Sequence, residues 1–188
     1  MEQHRLRLDR ELPKSTYMSR VNEGSAQADA SKSIESFLRD NGFSYERVHD
    51  NLFVTEIPGE QKLKTNISLL LGRHSLSINA FVMRAPDENR AEVHEYLLEH
   101  NRKLFGISYA LDQYGDIYVT GRLPLAAVSP ESLDQIFGSI SLACDANFNA
   151  LVAIGFAESI KREWAWRVSR GEPLTNLKAF SDLIGTDA

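Results

Sequence analysis

A single cysteine, Cys144, stands in the 188-residue chain. An intramolecular disulfide or a thiolate metal cluster needs at least a second one, so both are excluded. No apolar run reaches the eighteen or more residues of a membrane span, and residues 1–20 carry Arg5, Arg7, Asp9, Arg10 and Glu11 where a signal peptide would need its apolar stretch. A cytoplasmic protein without a membrane partner is expected. Excess positive charge is missing too: 21 Lys and Arg face 26 Asp and Glu, and the net charge is −5. The charges balance in the first thirty residues and again after residue 157, so no basic face is set aside for phosphates and no nucleic acid is expected. The 11 glycines never fall into a P-loop, a dinucleotide-binding fingerprint or a nucleophile elbow. Nucleotide chemistry and that kind of hydrolase are left without support.

Two motifs imitate chemistry. HEYLLEH, residues 94–100, resembles a helical zinc-protease motif, but its histidines are six residues apart rather than four. That is roughly 120° around a helix, so His94 and His100 cannot clamp one ion together. DQYGD holds Asp112 and Asp116 around Gly115, yet the third and sixth positions from Asp112 are Tyr114 and Ile117 where a calcium loop needs an oxygen ligand and a glycine. Its flanks alternate apolar and polar residues with a period of two, so the stretch reads as a hairpin, with Gly115 taking the left-handed conformation. No metal and no cofactor are expected. Cys144 lies on the apolar stripe of a predicted helix with no His or Lys beside it in sequence, which points to a packed thiol rather than a reactive one.

What is present is an ordered series of elements. SKSIESFLRDNGF reads as a helix, capped by Asp29 or Ser31 and closed at Gly42, with Ile34, Phe37 and Leu38 inward. Residues 1–28, polar, mixed in charge and without sustained periodicity, read as a mobile arm. Two hairpins follow: YERV with LFVTEI, then TNISLLLG with SLSINAFVM, the second with Ile67, Leu69, Leu71, Leu76, Ile78 and Phe81 as core. Asp87 is placed to cap the next helix, which contributes Val93, Tyr96, Leu97 and Leu104. After the DQYGD hairpin, VSPESL opens a helix with Ser129 at the cap and Pro130 in the first turn. Its stripe of Leu133, Phe137, Ile140, Cys144, Phe148 and Leu151 is widened by Ile136, Ala143 and Ile154, and it breaks near Gly155. The pattern predicts an α+β fold, an antiparallel sheet of hairpins packed with helices, with the domain over residues 29–157 and a C-terminal helical extension over 158–188.

YERVHDNLFV after the opening helix, NRKLFGISYALDQYGDIYVTGRLPL and VSPESLDQIF together resemble the YbjN-like family, also called bacterial sensory transduction regulators. The resemblance covers Ser31 to Phe156 and implies the sandwich of the type III secretion chaperones. It carries no catalytic residue, so the expectation is a non-enzymatic interaction protein, chaperone-like or regulatory, that binds a polypeptide. The rival is a small enzyme or ligand-binding domain that assembles Asp112, Asp116 and a histidine in a pocket. Arg162, Trp166 and Arg170, four apart, form a candidate partner-binding face, since Trp and Arg lead interface hot spots. The other outcome for Trp166 is burial under the tail. Trp164 falls in line with Phe156, Ile160 and Val168, a stripe expected to dock on the body. The wide stripe and the resemblance predict a homodimer that pairs through Ile136, Ala143 and Ile154, unless the C-terminal segment covers that surface within one chain.

Overall fold

The computed structural model describes residues 14–184. Helix α1 spans Lys14–Asp40 and β1 and β2 span Tyr45–His49 and Leu52–Pro58. Strands β3 and β4 cover Lys64–Leu71 and Ser75–Met83, α2 is Arg90–Asn101, and β5 and β6 are Ile107–Leu111 and Ile117–Pro124. Helix α3 (Pro130–Ser141) runs into a π-helical segment, Leu142–Ala146, and then α4 (Phe148–Gly155) and α5 (Ala157–Arg170). A 3-10 tail spans Thr175–Leu183. The strands form one antiparallel sheet in the order β1-β2-β3-β4-β6-β5.

Alternation decides the layering. Phe53, Ile67, Leu69, Leu71, Leu76, Ile78, Ala80, Val119 and Tyr109 point to one face and are buried with Ile34, Leu38, Leu133, Ile140 and Leu151 of the helices. The opposite face carries Asn66, Ser68, Asn79 and Thr120 in neighbouring registers. Phe81, expected in the core, has the parity of Asn79 and pairs with Tyr118 on this open face, where it is 40% exposed. A bulge between Phe81 and Met83 then turns both Val82 and Met83 inward.

The opening helix starts earlier than its capping residues suggest. Residues 14–28, expected within a mobile arm, belong to α1, where Ala26 packs on the core and Gln27 Nε2 donates to the Gly72 carbonyl at 2.8 Å. Small polar residues weaken the apolar signal there without preventing a helix; residues 1–13 of the expected arm lie outside the described residues. Gly42 closes α1 at φ 72°, as expected. Ser129 caps α3 in a reciprocal box with Ser132. Asp87, by contrast, does not cap α2: Asn89 occupies that position in the left-handed region, and Asp87 pairs with Arg84.

The break at Gly155 is held from outside. Asp87 and Glu88 donate their backbone N–H groups to the Gly155 carbonyl, Asn89 Nδ2 donates to the Ile154 carbonyl, and the Glu88 carboxylate accepts from the Glu158 N–H at 2.7 Å. The loop before α2 thus caps the end of α4 and the start of α5. A side chain at residue 155 would approach Pro86 Cβ at 2.8 Å, which leaves room only for glycine.

The surface expected to pair two chains is occupied within one. Ile136 and Ala143 are fully buried, with Ile136 packed beneath Gly106 at the start of β5 and the Ala143 carbonyl accepting from the Tyr109 hydroxyl at 2.8 Å. Ile154 is half-buried on α4, which the tail contacts through the cluster that includes Phe180 and Leu183. The stripe is wide because sheet, α1, α2 and tail surround it, so Ile136 and Ala143 offer no surface to a second chain. The same stretch, Pro130–Gly155, is long and apolar enough by composition to cross a membrane, and its Leu133, Ile136, Phe137, Ile140 and Leu151 side chains are buried in the core.

Candidate functional site

Beyond the last β3–β4 pair, Ile67 with Ala80, the two strands part, and β4 continues to Met83 without β3 beside it. Phe148, Val152 and Phe156 recur every four residues, so they line one side of α4, facing the end of β4. Between them lies an open groove of about 410 Å³ lined by Lys62, Phe81, Val82, Met83, Arg84, Phe148, Val152 and Phe156. Two of its lining residues are cationic and none is acidic, nucleophilic or imidazole-bearing. Lys62 Nζ stands 5.4 Å from the Phe81 ring and 5.9 Å from the Phe148 ring, while the Arg84 guanidinium lies 4.3 Å over Phe156. A cation therefore sits at each end of an apolar trough, against an aromatic face that attracts it.

The two cations differ in how they are held. Arg84 makes a bidentate pair with Asp87 at 2.6 and 2.9 Å, which lowers the Asp87 carboxyl below its ordinary value. Lys62 Nζ donates to the Phe81 carbonyl, and burial holds the amine below the ordinary lysine value. Its position is set by its backbone. The N–H groups of Glu60, Gln61 and Lys62 all donate to the Asp145 carboxylate, at 3.0, 2.8 and 2.8 Å. Burial raises the Asp145 carboxyl, and those three donors with the Lys62 charge outweigh it, so the net shift is downward. The π-helical turn thus presents one aspartate as the anchor of the β2–β3 loop.

The model of the YbjN family, described as bacterial sensory transduction regulators, matches residues 31–153. The chain belongs to the YbjN family. Uncharacterized relatives from Mycobacterium tuberculosis and Mycobacterium bovis are each 50% identical over 133 residues, which is 71% of this chain and 73% of the relative. One from Mycobacterium leprae is 47% identical over 156 residues, 80% of this chain and 85% of its own. Among solved structures, a chain of the ExsC–ExsE complex matches with a TM-score of 0.50 at 11% identity, over 66% of this chain and 95% of the other. The ExoU–SpcU complex of the Pseudomonas aeruginosa type III secretion system matches at 0.49 and 13% identity, over 63% and 96%. The YbjN domain has the α+β sandwich that the resemblance implied.

The residues singled out in this YbjN sequence fall in three places. Asp112 accepts from the Tyr114 and Asp116 N–H groups at 2.8 and 2.9 Å, and Asp116 accepts from the Ala85 N–H at 2.8 Å, with Gly115 at φ 86°. Asp112 closes the turn of the hairpin, and Asp116 fastens it to the segment after β4. The hollow beside Asp112 is lined by Asn79, Ala110, Leu111, Tyr118 and Thr120, without a histidine. Among the described residues, no three of His, Cys, Asp and Glu converge as a metal site would require. Trp166 is 46% exposed on α5, with the Arg170 guanidinium 5.1 Å over its ring, so the tail does not bury it. Arg162 donates to Ser159 Oγ, which donates to Asp87, the partner of Arg84. The Trp166 face and the groove are thereby linked through side chains. The other α5 stripe is corrected: Ile160 is buried and Trp164 half-buried, but Val168 is 57% exposed.

Cys144 is buried, and desolvation pushes its thiol up to about 12. The raised value keeps it protonated and non-nucleophilic at neutral pH. In the native YbjN chain, thiol titration with a disulfide reagent at pH 8 should proceed only as fast as unfolding, with full reactivity in denaturant. Immediate stoichiometric reaction of the folded protein would refute this placement. Lys62, Arg84 and Asp145 were absent from the candidates read from sequence, since no local motif joins a loop lysine to a helical aspartate more than eighty residues away.

Proposed function

We propose that this YbjN protein is a non-enzymatic cytoplasmic interaction module, chaperone-like or regulatory, that binds a polypeptide segment of another protein. The observation that carries the reading is the open groove between β4 and α4, whose lining offers aromatic and aliphatic surface and two cations but no acid–base or nucleophilic pair. Exposed apolar grooves of this kind mark interaction sites. Support comes from the fold: the ExsC–ExsE structure, whose chain it matches, is that of a complex. Arg162, Trp166 and Arg170 serve as a second contact for the same partner, reached from the groove through Asp87 and Ser159.

Pull-down from the native host tests this with paired variants. A partner retained by wild type should be lost with both Phe148→Ala and Trp166→Ala, while Trp166→Ala leaves the melting temperature nearly unchanged, because that ring is half in solvent. Retention by both variants would refute the assigned surfaces. Fluorescence supplies a partner-free check: in Trp164→Phe, emission from Trp166 should be red-shifted and quenched by iodide. A blue-shifted, protected signal would remove Trp166 from the binding face.

A further inference from the structure

Resting on the polypeptide reading, we infer that the groove selects a segment in which an acidic residue adjoins large apolar side chains, with Lys62 as the group that recognises the carboxylate. An ammonium carries three donors, and Lys62 Nζ has one hydrogen-bond acceptor among the described residues, the Phe81 carbonyl. The carboxylate near it, Asp145, accepts from three backbone N–H groups and acts on Lys62 through charge alone, without a hydrogen bond from Nζ. Lys62 is half-buried and flanked by two phenyl rings, so its remaining donors sit where water is partly excluded and a carboxylate gains more than in bulk solvent. The other end differs. Arg84 already holds Asp87 in a bidentate pair, so it forms a fixed wall rather than a second acceptor site. One carboxylate, at the Phe148 end, is the complement.

Dimensions and lining favour a peptide over a free amphipathic acid. Phe148 to Phe156 spans roughly 12 Å at the helical rise, the length of three or four extended residues. Along that length the rings of Phe81, Phe148 and Phe156 stand apart, with Lys62 at one end and Arg84 at the other, so successive large side chains beside one carboxylate find separate seats. A single acyl chain has only one apolar arm to offer them.

The test is amide chemical-shift titration of the full-length ¹⁵N-labelled chain with three ligands: the N-acetylated, amidated tripeptide Leu-Glu-Phe, its Leu-Gln-Phe counterpart, and decanoate. The acidic peptide should move the resonances of Val82, Phe148 and Val152 and bind about five-fold or more tightly than the neutral one, as expected for a charge-assisted contact. Lys62→Met should erase that preference and Lys62→Arg should retain it; both keep the backbone N–H that Asp145 holds. Equal binding of the two peptides to wild type would overturn carboxylate selection and leave the polypeptide reading standing. Groove shifts with decanoate in preference to the acidic peptide would overturn the peptide assignment in favour of a small amphipathic acid. No shifts from any of the three would overturn both.

Discussion

Ile136→Ala is expected to lower the unfolding free energy by about 2–5 kcal/mol, the usual cost of removing a buried isoleucine side chain to the β-carbon. For a chain of this length that corresponds to a fall in melting temperature of roughly 4–20 °C. The mass measured by light scattering should not change with the substitution. Ile136 has no exposed surface, and it packs against Gly106, where an added β-carbon would lie 3.2 Å from its Cγ1. Gly106 itself takes φ 70°, so the chain passes over Ile136 at a point where other residues would be strained. A dimer-face isoleucine would behave in the opposite way, dissociating a pair at little cost to the protomer. Calorimetry and light scattering on the same sample separate these outcomes, and a halved mass with an unmoved melting temperature would restore the dimer reading.

Ile136 shows what periodicity carries. A helical wheel reports how much of the circumference is apolar, and for Leu133, Ile136, Phe137 and Ile140 it was right, since all four are buried. It does not report how many elements of the same chain surround the helix. Strand parity was equally legible: Ile67, Leu69, Leu71, Leu76 and Ile78 all face the core. Phe81 leaves the core because parity, not hydrophobicity, sets its face, and its displaced ring forms a wall of the groove. Hairpin and cap signals held where they are local, at Gly115, Ser129 and Gly42. The candidate site was largely illegible because its decisive contacts join Lys62 to Phe81 and Phe148, and the 60–62 loop to Asp145, across large separations in sequence. The stacking of Arg170 on Trp166, by contrast, follows from their helical spacing.

Asp145→Ala should be the most disruptive single change at the groove, at about 1.5–3 kcal/mol, the range for hydrogen bonds to a charged group in a partly exposed setting. Three N–H donors lose their acceptor at once, and the β2–β3 loop loses its tie to the π-helical turn. Gly59→Ala should act on the same contact from the other side, since an added β-carbon would overlap the Lys62 carbonyl oxygen and the Asp145 carboxylate. Because both substitutions break one clasp, the double variant should lose less stability than the two single losses combined. Acid provides an independent reading. The Asp145 carboxyl is held below its ordinary value of 3.8, so its contribution is present above that value and fades as pH falls through the lower folded value. The stability difference between wild type and Asp145→Ala should therefore narrow in that acid range. Hydrogen exchange localises the effect, with faster exchange of the Glu60, Gln61 and Lys62 amides in the variant at neutral pH. Unchanged exchange at these amides together with an unchanged melting temperature would show that the loop is held by something else, and Lys62 would then lose the fixed position on which its role in the groove depends.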